Sequence, residues 1–559
     1  MSKLALSLAR AQFSVQCGAV FRIMLEFNKF PPMDVWKIGL FHLVKTDVGS
    51  FLASDLLVEV CECYLSYVEV YGVKNVKHLK LMKPDTVIFN LVLDACVRFR
   101  TSLRAEQIIE LMAVMGVVAD ASSVVLIAQV HEMNGQRDEV RKLKECVDRV
   151  PVRLLFHYRQ FYNSLLSLHF KFDDIDSASE LVLDMYSRRD SGDRKDTQKS
   201  YLHTIGSRNL KTGLRLQIEP ELLQSDMVRS VGSHAELVMF MDGRLIPSNK
   251  AIAKVIDGYK RHRKIGELSK LLTSVQKQAD ASGDASLSSD VLGACVHIRW
   301  LETAHDILDD METAGFPMQF DAYLSLLRAY CKENMLKEGR VLIKQMRKRG
   351  WLLNLSDEDV VSDCCLEEGR IVSLDTESVT LSEKSHLAVT LMREFSEEDG
   401  TMPLVYEINS SIYYFCKGNM MEDALRTYHR MQERNIPPIV QTFAHLINGY
   451  SKLKMYREIT ILWGEIRRKL DTEDLTANRD LYGMFLCNFI RGGYFERVLE
   501  VLEYMKVNGM YTDKWKYKRE FLKFHKYLYR SLKAEKAKTE AQRKRLEHVR
   551  AFRKWVAID

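Results

Sequence analysis

The chain has no CxxC pair, although it holds 11 cysteines in 559 residues. Cys61 and Cys63 are one residue apart, Cys364 and Cys365 are adjacent, and the rest are scattered. An odd, dispersed set excludes a disulfide-stapled secreted scaffold and a structural zinc centre, and it fits a reducing compartment. No stretch approaches the roughly 20 uninterrupted apolar residues of a membrane helix. The 15 histidines show no pairing at metal-ligand spacing, and no GxxxxGK[ST] phosphate loop, GxSxG nucleophile elbow or nuclease-like acidic cluster occurs. The expectation is a protein without catalysis, metal, cofactor or small-molecule substrate. Proline is scarce too, with 10 residues, against 47% hydrophobic and 28% charged, so a large buried core is feasible and global disorder is not expected.

Charge is unevenly spread. The net value is +6, yet residues 514–559 hold 16 Lys and Arg against 5 acids, leaving 65 against 70 elsewhere. Residues 355–404 carry 13 acids against 3 bases. An average would hide a basic tail and an acidic segment.

What the chain does have is a period of about 35 residues. Copies start at Thr86, Arg159, Asn249, Ala285, Phe320, Val405, Val440 and Arg479, with room for a weaker copy at 121–158. Within each copy, positions 4, 7, 8 and 11 are mostly apolar, as in Phe89, Val92, Leu93 and Cys96. Positions 20, 23, 24 and 27 repeat that spacing, as in Ala304, Ile307, Leu308 and Met311. Each set is one face of a helix, and a short polar break separates them. Gly, Asn and Pro then end the copy, as in Gly315-Phe316-Pro317. Each copy is therefore a helical hairpin, and neither helix buries its stripe alone, so copies must stack. Small residues at position 20 (Ala105, Ala178, Ala304, Ala424 and Gly339) suit close backbone approach. Cys96, Cys295, Cys331 and Cys416 fall at position 11 or 12, which makes them packing residues.

The period, the Met at position 27, the Ala at 20, the Cys-Lys pairs at 331–332 and 416–417 and the terminal G/N-x-P turn resemble the P-type pentatricopeptide repeat family of plant organelles. That resemblance implies an all-α fold, a right-handed superhelical α-solenoid of stacked hairpins. It also implies a single-stranded RNA partner, with each repeat reading one base through position 5 and its last residue. On this pattern Asn90 with Asp120 is a full match, resembling a uracil reader, and Asn163 with Asp193 is a second. Elsewhere the pattern is eroded: Ser289 pairs with Gln319, Leu324 with Asn354, Asn409 with Ile439, Ala444 with Asn478, and Gly483 with Asp513. Position 13 is basic in seven of the eight copies, at Arg98, Lys171, Arg261, Lys332, Lys417, Lys452 and Arg491. Stacking would align these into a stripe able to follow a phosphate backbone. Favourable charge at a helix C-terminus needs no ligand, but it does not explain why this position stays positive while other C-terminal positions vary, so the phosphate reading is favoured. Some members of the family carry a deaminase with an HxE and a PCxxC motif; His234-Ala235-Glu236 stands here alone, without the cysteines of a metal site.

The expected organisation runs as degenerate repeats over 1–85, repeats over 86–193, an irregular insert over 194–248, repeats over 249–354, an acidic insert or degenerate repeat over 355–404, repeats over 405–513, and a basic C-terminal helix over 514–559. Residues 1–25 lack acids and suit a transit peptide, but ALSLARAQ with VFRIMLEFNKFPP also reads as the second helix of a repeat. The expected function is organellar RNA metabolism by site occupancy, in the mitochondrion or alternatively the chloroplast. The alternative is a protein-binding scaffold in an organellar ribonucleoprotein or ribosome.

Overall fold

The computed structural model describes residues 1–27, 29–71, 83–187, 201–205, 214–224, 236–241, 244–279, 287–316, 318–352, 356, 359–362, 386–396, 403–472, 475–531 and 539–558. In chain order the helices are α1 (Ser2–Arg10), α2 (Ser14–Glu26), α3 (Met33–Leu43), α4 (Asp47–Tyr71), α5 (Thr86–Arg98), α6 (Ser102–Val114), α7 (Ala121–Met133), α8 (Arg137–Val147), α9 (Arg159–Lys171) and α10 (Ile175–Ser187). Four short strands follow: β1 (Tyr201–Ile205), β2 (Leu214–Ile218), β3 (Val238–Met241) and β4 (Arg244–Pro247). Helices resume with α11 (Asn249–Arg261), α12 (Ile265–Ala279), α13 (Leu287–His297), α14 (Leu301–Thr313), α15 (Phe320–Lys332), α16 (Leu336–Lys348) and α17 (His386–Ser396). The last group is α18 (Pro403–Lys417), α19 (Met421–Glu433), α20 (Val440–Lys452), α21 (Tyr456–Asp471), α22 (Arg479–Gly492), α23 (Phe495–Val507), α24 (Lys514–Ser531) and α25 (Glu540–Trp555).

Six of the eight copy starts coincide with the first residue of a helix, and the other two, Ala285 and Val405, fall two residues from one. Ala105, Ala178, Ala304 and Ala424 are each fully buried, as position 20 requires. A Cβ on Gly339 would stand 3.7 Å from Leu327 and 3.9 Å from Tyr330, so first and second helices of that hairpin meet closely. Met112, Met311, Met346 and Met431 at position 27 are likewise buried. Cys96, Cys295 and Cys416 are buried, and burial pushes each thiol up to about 12, which leaves them inert packing groups. The turn between the helices of a hairpin uses the left-handed region: Arg100, Asn334 and Asn419 have φ of 55°, 58° and 57°.

Two compact units form. One comprises Met1–Val150, Lys195–Gly232 and Met402–Asp559; the other comprises Pro151–Arg194 and Ser233–Thr401. In the first, first helices stack on first helices (α1 on α3, α5 on α7, α18 on α20, α22 on α24) and second on second (α2 on α4, α23 on α25). Residues 2–26 are thus a whole hairpin, with Ala5, Ala9, Cys17 and Phe21 buried. The basic tail is not one helix but two, α24 and α25, the second starting later than the repeat register places a second helix, and both close the core through Tyr517, Phe521, Val549 and Phe552.

Strands were not expected from an all-α reading. β1 and β2 pair antiparallel in the first unit, and β3 and β4 in the second. Their physical role is local: the Ala119 N–H donates to the Gln217 carbonyl at 2.9 Å, so β2 caps the turn leaving α6. In the second unit the Leu237 N–H donates to Asn163 Oδ1 at 2.9 Å, tying the β3 end to α9. A second difference concerns α17, from the acidic insert. It packs against both α11 and α13, so it stands between the first helices of two consecutive repeats, in the position where such helices touch directly elsewhere. Leu387, Ala388 and Leu391 form its buried stripe.

Candidate nucleic-acid interface

The residue before each first helix is its N-cap. Asp85, Asp120, Ser248 and Asn478 each accept a hydrogen bond from a backbone N–H in the first turn of the following helix, satisfying a donor the helix cannot. At these copies the last position serves helix capping, whereas Gln319 and Ile439 ahead of α15 and α20 make no side-chain cap. That signal was available in the sequence as Asp or Asn immediately ahead of an apolar periodic run.

Asn90 and Asp120 come together. Asn90 Nδ2 donates to Asp120 Oδ1 at 2.9 Å, and Ser123 Oγ donates to Asn90 Oδ1 at 2.7 Å. Both residues are half-buried at the surface of α5 and α7. An amide has two N–H donors and two oxygen lone pairs, so Asn90 retains one of each. That is the adjacent donor and acceptor needed to meet a pyrimidine edge.

Other candidate readers are placed differently. Asn163 is half-buried and holds the Leu237 N–H. Ser289 is exposed near the start of α13, and Asn478 is half-buried as a cap. Asn409 is only 4% exposed, and its Oδ1 accepts from Thr442 Oγ1 at 2.7 Å. Asp513 is 2% exposed, with both oxygens on Arg22 at 3.0 and 2.6 Å. Asp193 and Asn354 lie outside the described residues, as do His234, Cys364 and Cys365. Glu236, the other end of the HxE tripeptide, pairs with Lys250 at 2.8 Å.

The position-13 cations split by environment. Arg98 is exposed beside Asp94 at 2.9 Å, and Arg261 is exposed between Asp257 and Asp173. Lys332 is exposed and Lys171 half-buried. Arg491 donates to Glu520 at 3.0 Å. Lys417 is buried between Glu106, at 3.1 Å, and Glu110. Burial opposes its charge, but the two carboxylates prevail and hold its pKa above lysine's usual value. Burial alone would raise Glu106; Lys417, with lesser help from the imidazoles of His445 and His131, overrides it and holds Glu106 at about 2. Lys452 stands close by, and burial together with the Lys417 ammonium pulls it below the lysine range.

Sequence reasoning missed a set of buried ion pairs in this unit. Arg22 bridges Glu59 and Asp513 with all three side chains at most 4% exposed. Asp55 takes Arg104 and, at 3.0 Å, Lys516. No local spacing could reveal pairs as distant in sequence as Arg22 and Asp513.

The chain matches the PPR (pentatricopeptide repeat) repeat family over residues 404–469, and the PPR repeat over 161–189 and 321–351. It is 46% identical to Pentatricopeptide repeat-containing protein At4g17616 of Arabidopsis thaliana, over 100% of this chain and 81% of that protein. It is 29% identical to a mitochondrial pentatricopeptide repeat-containing protein of the same plant, At1g03100, over 99% of this chain and 78% of that one. A crystal structure of the pentatricopeptide repeat protein PPR10 from maize is similar at 13% identity, covering 100% of this chain and 94% of that chain with a TM-score of 0.21. The register, the buried small residues at position 20 and identity along the whole length place this chain in the pentatricopeptide repeat family.

Proposed function

We propose that the protein binds single-stranded RNA in an organelle, the mitochondrion first and the chloroplast second, and acts by occupying its site rather than by catalysis. The observation that carries this reading is the Asn90–Asp120–Ser123 network. It fixes an amide at the end of one repeat and the start of the next, with one donor and one acceptor left for a base. Exposed Arg98, Arg261 and Lys332, and half-buried Lys171, supply cations at the ends of the first helices α5, α11, α15 and α9, suited to phosphates. Organelle names among the relatives, mitochondrial in two and chloroplastic in another, support the compartment. An RNA held along the array is shielded from exonucleases and kept unpaired, which suffices for a role in stability, processing or splicing. Binding of uridine-containing and uridine-free single strands, compared between the protein and Asn90→Ala, tests it. A preference for uridine at one position that the substitution removes supports the reading. Equal binding of both strands by both proteins contradicts base reading.

A scaffold that binds protein in an organellar ribonucleoprotein is the second reading. It is favoured by the burial of Asn409, Ala444 and Asp513, three reading positions here packed against protein.

A further inference from the structure

In the first unit, the first helices of the C-terminal hairpins are covered. A residue in the first turn or so of three successive ones touches the N-terminal hairpins. Tyr406 lies 3.0 Å from where a Cβ on Gly135 would be, Gln441 Nε2 donates to the Met133 carbonyl at 3.2 Å, and Asp480 accepts from the Arg104 N–H at 3.2 Å. Cations of the same helices meet carboxylates carried by the second helices of those hairpins. Lys417 meets Glu106 and Glu110 of α6; Arg479 meets Asp47 at the start of α4. Lys516 meets Asp55 at 3.0 Å, and Arg519 meets Glu62 at 3.1 Å and Glu59 at 3.6 Å. The match is serial: passing from α18 through α22 to α24, the partners pass from α6 to α4.

Two features distinguish this from an ordinary core. The contact is largely polar: among the described residues of α1–α8, only Leu103 enters the apolar cluster of the C-terminal hairpins, and Phe51 meets the Tyr511 ring edge-on at 6.2 Å. Its outer pairs are also open to solvent, with Glu62 and Asp47 both 48% exposed. The inner pairs, Lys417 with Glu106 and Lys516 with Asp55, are largely buried, so they open only where phosphates take the place of the carboxylates. A ridge of carboxylates facing a row of cations is also the charge pattern a phosphodiester backbone would present to them.

We infer that the acidic ridge of α4 and α6 and a single-stranded RNA backbone are alternative occupants of one surface. In the absence of RNA the ridge seats on α18, α22 and α24. When RNA engages the C-terminal hairpins the ridge lifts, and Arg479, Lys516 and Arg519 join Lys417 and Lys452 as phosphate-binding cations. This rests on the RNA-binding reading above. The ridge acts as a built-in competitor: weak or short polyanions fail to displace it, and only a strand long enough to satisfy several cations together succeeds.

Hydrogen exchange on the full-length protein, with and without a mixed-sequence single-stranded RNA of about 20 nucleotides, tests this directly. The expected result is faster exchange across 102–114 on adding RNA and slower exchange across 440–452. Glu106→Gln combined with Glu110→Gln should tighten RNA binding on the order of tenfold and steepen its salt dependence, because less of the protein is occluded. RNA binding that leaves 102–114 as protected as before would show the ridge to be permanent; the inference falls and the RNA reading stands. An unchanged affinity in the folded double variant has the same meaning. If neither protein binds RNA at low salt, the RNA reading falls and the inference with it. Should the double variant fail to fold, the exchange measurement on the unaltered protein decides alone.

Discussion

Replacing Lys417 with methionine keeps the length of the side chain but removes one ammonium from between two carboxylates. Glu106 is buried, with its side chain 5% exposed, and it is ionised with a pKa of about 2 because Lys417 outweighs the effect of burial. Without the lysine, burial dominates and the Glu106 carboxyl moves above its ordinary value of about 4.3. The fall from about 4.3 to about 2 in the native protein corresponds to about 3 kcal/mol of stability at neutral pH, present above the unfolded pKa and lost as pH falls toward 2. Leaving a buried carboxylate unpaired costs a similar amount, about 3–5 kcal/mol. Lys417→Met should therefore destabilise the first unit by about 3 kcal/mol at pH 7, measured by urea unfolding. The deficit should shrink as pH drops below about 5, where Glu106 of the variant takes up its proton. Adding Glu106→Gln should recover more than half of the loss, since a neutral amide has no charge to strand. A loss under about 0.5 kcal/mol, typical of a surface position, would refute the buried pair. So would a double variant no better than the single one.

Lys332 is exposed, so Lys332→Glu should leave unfolding unchanged while lowering the slope of log affinity against log salt by about one phosphate; an unchanged slope would remove it from the binding stripe. Met112 is fully buried at position 27, and Met112→Ala should cost about 2–5 kcal/mol in urea unfolding; a negligible cost would mean that the register is misplaced. Burial lowers His445 to about 4 and raises Asp480 to about 6. The neutral imidazole stabilises the fold above pH 6.5, and this is lost as pH falls to 4, at about 3 kcal/mol; protonation of Asp480 returns about 3 kcal/mol between pH 6 and 3.8. The two oppose, so Asp480→Asn should make stability fall steeply between pH 6.5 and 4.5 where the native protein is nearly level. Matching pH profiles for the two proteins would contradict the assignment of Asp480.

The hairpins were legible because their cause is local. Apolar residues three and four apart, a small residue at 20 and a capping residue ahead of several first helices act within one repeat, and sequence alone displays them. The tail illustrates the limit: its composition announced helix and charge, but only Tyr517, Phe521 and Phe552 meeting in one core reveal a second helix packed with the first. Asn90 and Asp120 were legible as a pair because the repeat brings positions 5 and 35 together. The surroundings of Asn409, Asp513 and Lys417 were not, since they depend on Thr442, Arg22 and Glu106 arriving from elsewhere. Position 13 is Lys or Arg in seven of eight copies, but the sequence cannot say which cations meet solvent and which meet the chain's own acids. The strands β1–β4 escaped notice because a few alternating residues between long helices carry little periodic signal.

Crosslinking of the tagged protein to RNA in its native organelle, followed by sequencing of the bound fragments, tests the central claim most directly. The account predicts one or a few short single-stranded footprints, with uridine at the position read by Asn90. Stable co-purifying proteins with no enriched RNA would contradict it and put the scaffold reading in its place.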